Sequence, residues 1–176
     1  MLNTVKILGV VFLCIPVLSD AASCKTNIPA TTPITQFIDQ NGTVTDTKTK
    51  LMWKKCSEGQ KYVAGACSGS IGAYNWGNAL KQVAAANTEK FAGYNDWRAP
   101  NIKELQSIVE RQCYDPSINT RLFPNTESTY YWSATEYSSP GYAWLASFYD
   151  GVTTSGWKGY GDESNSYYIR LVRDAK

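Results

Sequence analysis

The 40 residues from Thr129 to Tyr168 hold eight of the twelve tyrosines, three of the six tryptophans, seven serines and five glycines. Such a mixture builds rigid ring contacts beside adaptable polar ones, at low entropic cost per contact. Rings with polar tips suit sugars, which present an apolar C–H face and a rim of hydroxyls. Tyr142, Tyr149, Trp157 and Tyr160 lie beside glycines or turns, which marks them as candidate ligand-binding residues. Trp132, Trp144 and Phe148 sit in alternating stretches and are expected in the core. Plain packing of glycine-rich loops is the competing account of the same rings. The segment carries Lys158 against Glu136, Asp150, Asp162 and Glu163, a balance that disfavours a polyanion. Those acids are also the candidates for calcium, although no EF-hand spacing is present. Solvated loop carboxylates are the expected state, and no cofactor is called for.

A second stretch has the opposite sign. Lys48, Lys50, Lys54, Lys55 and Lys61 stand against Asp46 and Glu58. If the stretch is extended, Lys48 and Lys50 share a face. Lys48, Lys50, Lys54 and Lys55 are therefore candidates for contact with an acidic polysaccharide. A lysine-rich edge that protects a strand from mispairing accounts for them equally.

The chain has no histidine, which removes imidazole bases and histidine-ligated metals. Five cysteines are present, and Cys14 falls in an apolar run from Ile7 to Leu18 that follows Lys6. Such a run is too short to span a bilayer and suits a signal peptide, with small residues Ser19, Ala21, Ala22 and Ser23 after it. Residues 1–21 are read as that signal, so no membrane span remains after cleavage. A lipid-modified Cys24 is the alternative, and it would leave Cys113 without a partner. Cys24, Cys56, Cys67 and Cys113 then form an even set suited to an oxidising compartment, with three possible pairings. Cys56 and Cys67 flank one glycine- and serine-containing excursion, which favours their bridge and leaves Cys24 for Cys113. With these thiols paired, the expectation is a protein that is not an enzyme. A carboxylate- or cysteine-based enzyme stands as the remote alternative. The net charge of +2 gives no support to nucleic-acid binding.

The elements that must position these residues are legible in part. Residues 22–36 form a polar arm, and 37–176 are long enough for one domain. Asn41-Gly42 and Asp150-Gly151 are hairpin turns between β-prone runs. Leu51-Met52-Trp53 reads as a buried strand. Asn75 caps a helix bearing Trp76, Ala79, Leu80 and Val83 at helical spacing. Asn101 with Glu104 forms a capping-box pair ahead of Ile102, Leu105, Ile108 and Val109. From Tyr167 to Arg173 the period is two, with Tyr168, Arg170 and Val172 on one face and Tyr167, Ile169 and Leu171 on the other. The order of hairpin, helices and strands predicts an α+β fold rather than repeated βαβ units.

Several strings together resemble the C-terminal domain family of the Legionella collagen-like adhesin. They include Gly42-Thr43-Val44-Thr45-Asp46, Leu51-Met52-Trp53, Gly93 through Pro100, Ile102-Lys103-Glu104-Leu105, Phe123-Pro124-Asn125, Tyr131-Trp132-Ser133, Ala143-Trp144, Asp150-Gly151 and Arg170 through Arg173. The resemblance runs from about Phe37 to Arg173. It implies a C-type-lectin-like fold, related to the sulfatase-modifying enzymes, with two helices packed on a twisted, mainly antiparallel sheet. Asp96-Trp97-Arg98 is the family signature and is expected to be architectural, with a buried Arg98 pair fixing the turn into Pro100. The collagen-like stalk has no counterpart in this chain. The functional expectation is an exported recognition module, periplasmic or at the cell surface, that binds a glycan or a surface protein. A structural or assembly subunit of an envelope complex is the alternative.

Overall fold

The computed structural model describes residues 22–159 and 163–175. The signal-peptide reading and the Tyr160 candidate therefore lie outside the described residues. The fold is α+β, with almost all strand pairing antiparallel. Among the described residues, however, the strands form four small sheets rather than one.

In chain order, the arm contributes β1 (Ser23–Cys24). β2 (Phe37–Gln40), β3 (Thr43–Asp46) and β4 (Leu51–Lys54) follow as a meander. Gly42 closes the first turn at φ 80, a region that glycine enters freely. β5 (Lys61–Val63) and β6 (Ala66–Ser68) form a short hairpin. Then come α1 (Trp76–Thr88), α2 (Ile102–Ser107) and β7 (Cys113–Tyr114). β8 (Tyr130–Glu136), β9 (Tyr142–Ser147) and β10 (Thr153–Trp157) make a three-stranded sheet. β11 (Val172–Asp174) returns to pair with β4, so the C-terminal end closes the sheet begun by β2.

Both helices start where their caps direct. The Asn75 side chain accepts from the Asn78 N–H at 2.9 Å. Asn101 accepts from the Glu104 N–H, and Glu104 accepts from the Asn101 N–H in return. Each satisfies N–H groups that the first turn would otherwise orphan.

Two apolar clusters form the core. One gathers Phe37, Trp53, Leu105, Ile108, Phe123, Tyr131, Phe148 and Val172; the other gathers Trp97, Trp132, Leu145, Ile169 and Leu171. The segment 167–172 runs between them. Tyr168 and Val172 meet the first cluster, while Tyr167, Ile169 and Leu171 meet the second. The two-residue alternation is thus real, but only Val172–Asp174 is a regular strand. Tyr167 and Tyr168 instead make single bridges, to Tyr74 and to Tyr131. Trp144 departs from expectation: it is half-buried and packs edge-on against Tyr137 at 4.8 Å.

Disulfides join Cys24 to Cys113 and Cys56 to Cys67. The first pins the arm, and a buried carboxylate reinforces it. Glu110 accepts from the backbone N–H groups of Thr31, Thr32 and Gln112 and from both threonine hydroxyls, at 2.8–3.1 Å. Burial pushes its pKa up, but these donors outweigh burial and hold it below the ordinary value. The disulfide and the Glu110 hydrogen bonds thus tie the 22–36 arm to the rest of the described chain.

Candidate functional site

The candidate groove lies along β10 at the edge of the three-stranded sheet. It has a volume of about 400 Å3 and is lined by Tyr142, Ser155, Gly156, Trp157, Asn165 and Tyr167. Antiparallel register puts Trp157 directly opposite Tyr142, and their rings meet edge to face at 5.1 Å. The Trp157 side chain rests on the backbone of Gly141 and Gly159, where any Cβ would collide with the indole. Trp157 is still 39% exposed. Two glycines and a tyrosine therefore hold the ring while part of its surface stays open to solvent.

Gly156 makes the floor for a similar reason. A Cβ there would stand 2.7 Å from the Tyr167 ring and 2.9 Å from Leu145. Tyr167 is fixed from behind by Trp132 at 4.9 Å and Tyr130 at 6.1 Å, both edge to face. Burial, with Tyr130 nearby, raises the Tyr167 pKa, so its hydroxyl keeps its proton at neutral pH. Ser155 and Asn165 add hydroxyl and amide groups to the lining. Lys158 pairs with Glu136 beside the groove and lies 5.9 Å from the Trp76 ring.

Of the four ring candidates, Tyr142 and Trp157 come together here. Tyr149 does not. It is 50% exposed in the turn at the other end of the β9–β10 hairpin, seven residues from Tyr142 and roughly 20 Å along the strand. Sequence reasoning missed Tyr167 because alternation alone placed it in a sheet. The usable signal was its position next to the glycine- and serine-rich segment.

The lysine candidates do not form a common face. Lys48 and Lys50 are exposed, but they occupy the turn between β3 and β4, and Lys50 has φ 59. Lys54 and Lys55 are buried. Lys54 pairs with Glu58, and its ammonium lies 4.2 Å from the centre of the Phe91 ring. Lys55 pairs with Asp39, and its ammonium lies 4.8 Å from the centre of the Tyr62 ring. Flanking a buried strand drew both ammoniums inward, where carboxylates compensate their desolvation.

The signature residues serve the frame. Asp96 accepts two hydrogen bonds from the buried Arg173, which also lies 3.8 Å from the Tyr94 ring centre. Trp97 is buried, and its indole N–H donates to the Phe91 carbonyl. Arg98 forks onto Glu104 and reaches Asp174. Its side chain is 39% exposed, so the expected burial of that pair is incorrect. The Arg170 guanidinium, by contrast, is fully buried, as is that of Arg173. Arg170 donates to the Lys54 and Lys55 carbonyls and to the hydroxyls of Ser57 and Thr126, with the Phe123 ring at 5.0 Å.

The Lcl C-terminal domain family model matches residues 42–173. The chain belongs to this family. No curated protein matches it. The family match spans β3 to β11 and so includes the groove, both helices and the signature. Among the described residues, no three or more acidic or cysteine side chains gather as a metal site. Asp150, one calcium candidate, accepts from the Val152 N–H in its own turn, and Asp162 lies outside the described residues. No described helix is long and apolar enough to cross a membrane.

Proposed function

We propose that this chain is an exported, non-enzymatic recognition module that binds a glycan in the groove along β10. The observation that carries the reading is the seating of Trp157: open to solvent, yet held by Gly141, Gly159 and Tyr142. A pre-placed ring loses little entropy when a sugar stacks on it. Hydroxyl and amide groups of Ser155, Asn165 and Tyr167 lie where sugar hydroxyls would seek partners. Two disulfides suit an oxidising, exported setting. The family's link to an adhesin points to the cell surface.

A glycan array probed with the purified mature protein tests this. Sugar hits that vanish with Trp157→Ala support the groove. Hits that survive the substitution, or an array without hits, overturn it.

A second reading makes the domain a subunit of an envelope assembly. Tyr149 and Val152, 50% and 51% exposed at the opposite end of the same hairpin, favour it as a protein-contact edge. Recovery of one stoichiometric envelope protein, lost on Tyr149→Ser, would select it.

A further inference from the structure

The three-stranded sheet ends on β10, and hydrogen-bond parity decides which way that strand turns its backbone. Ser147 donates to the Val152 carbonyl, and Lys158 donates to the Gly141 carbonyl. The register between β9 and β10 is unbroken from Thr153 to Trp157. Bonded and unbonded residues alternate along an antiparallel pair. Thr154 and Gly156 therefore bond β9, while Thr153, Ser155 and Trp157 turn their N–H and C=O groups to the free side. No described residue bonds any of these outward groups.

The other edges of the two larger sheets are guarded. On the far side of the same sheet, Trp132 donates to the Tyr168 carbonyl and Ala134 to that of Pro100. In the four-stranded sheet, β11 exchanges two bonds with Arg98, and β2 carries the charge of Asp39. Charges, prolines, bulges and covering segments are the usual means of keeping an edge from pairing. β10 reads Thr-Thr-Ser-Gly-Trp, with none of the first two, and its register to β9 has no bulge. Among the described residues it is the edge left open.

The spacing of the free groups names the chemistry that would fill them. They recur at every second residue, about 6.8 Å apart, which is the repeat of an extended polypeptide. Strand addition to a sheet edge uses this match, with alternate side chains read by flanking pockets. The groove supplies the flanks: Tyr142 and Trp157 share one face of the hairpin, and Tyr167 packs under Gly156 on the other.

Charge then selects among polypeptides. Asp150 precedes β10, and Asp162 and Glu163 follow it in the sequence. Lys158 is the one cation from position 150 to 163, and it pairs with Glu136. A second copy of this chain would bring the same acids against these. A segment bearing lysine or arginine meets opposite charge, and rings that attract a cation. We infer that β10 is a docking edge for an extended, basic segment of a partner protein, which adds a fourth strand to the sheet and lays its cations over Tyr142 and Trp157. This goes beyond glycan binding and does not rest on it. A docked strand covers the groove, so sugar and strand exclude each other and each is tested in the absence of the other.

The test follows amide hydrogen exchange by NMR in the disulfide-bonded, 15N-labelled protein. In the free protein the Thr153, Ser155 and Trp157 amides are expected to exchange at least tenfold faster than those of Thr154, Gly156 and Lys158. Four capped seven-residue peptides are then added, in which lysine or arginine alternates with valine or tyrosine. At least one should slow the three outward amides tenfold or more at saturation. In a paired strand only alternate N–H groups face the edge. Methylating the backbone nitrogens of the basic residues alone, or of the intervening residues alone, should therefore abolish binding in one case and spare it in the other. Ser155→Pro removes an outward N–H without touching the bonds to β9, and should weaken binding at least tenfold. Should that variant lose its native spectrum, the methylated peptides still decide the matter on the native chain. Outward amides already protected in the free protein, or no protection by any peptide, overturn the edge. Equal effects of the two methylation patterns overturn strand pairing. Tighter binding of the glutamate–valine counterpart, or protection that grows with protein concentration alone, overturns the choice of occupant.

Discussion

Around Arg170 the molecule buries charge and surrounds it with acceptors; around Trp157 it leaves a ring open and surrounds it with glycine. Among the described residues, the Arg170 guanidinium has no direct carboxylate partner. Two carbonyls, two hydroxyls and the rings of Phe123 and Tyr131 take its place. Burial lowers its pKa, and Tyr131 and Glu58 oppose that. Such a group fixes the geometry between the two apolar clusters, because any shift strands a charge in low dielectric. The groove does the reverse. The Trp157 ring stays 39% exposed while Gly141, Gly159 and Tyr142 hold it. The contrast is between a cation that holds the frame from inside and a ring that is held in place yet left open at the surface.

Removing the frame's cation is the harshest way to break that contrast. Arg170→Ala leaves the Lys54 and Lys55 carbonyls and the Ser57 and Thr126 hydroxyls facing a cavity, and should cost about 5 kcal/mol in urea unfolding. A loss under 1 kcal/mol would mean the guanidinium is not a keystone. Next in size is the arm's bridge. Replacing Cys24 and Cys113 together by serine opens a loop with a sequence separation of 89 residues. On the chain-entropy model this should cost about 4 kcal/mol. Thermal unfolding of the double variant checks it.

Much of the frame was legible in the sequence, because local chemistry dictates it. Asn41-Gly42 and Asp150-Gly151 turn the chain, since glycine tolerates φ near 80 at both places. Asn75 and Asn101 start helices because their side chains reach backbone N–H groups three residues on. What escaped was long-range. Lys55 read as a surface cation, since only the fold brings Asp39 to it, and so did Lys54, whose partner Glu58 is four residues on, because only the fold buries it. Tyr142 and Tyr149 looked equivalent beside their glycines, but a strand puts them at opposite ends of one hairpin. Tyr167 and Gly156 are 11 residues apart, and their contact depends on the whole C-terminal return.

The arm offers a milder probe that titrates. The folded pKa of Glu110 is depressed, so its carboxylate contributes stability in full above the unfolded value, near 4.3. That contribution is lost as pH falls through the folded pKa. Glu110→Gln should therefore cost about 2 kcal/mol at pH 7, from charge-assisted bonds to Thr31, Thr32 and Gln112. The gap from the parent should shrink steadily as the pH is taken down to 3. A gap constant over that range would show that the charge of Glu110 does not hold the arm.

The smallest stability effect and the sharpest functional one should come from the groove. Trp157→Ala forfeits the contact with Tyr142 and should lower stability by only about 1 kcal/mol. Gly159→Ala keeps the indole but puts a methyl group where the indole now rests. Its φ lies outside the left-handed region, so the backbone itself tolerates alanine. If recognition depends on where the ring is held, Gly159→Ala should weaken glycan binding nearly as much as deleting the ring, at least tenfold, while urea unfolding stays within about 1 kcal/mol of the parent. If it depends only on having an exposed ring, Gly159→Ala should bind like the parent. That result would reduce the two glycines to loop geometry and leave the groove no different from any other tyrosine-rich surface.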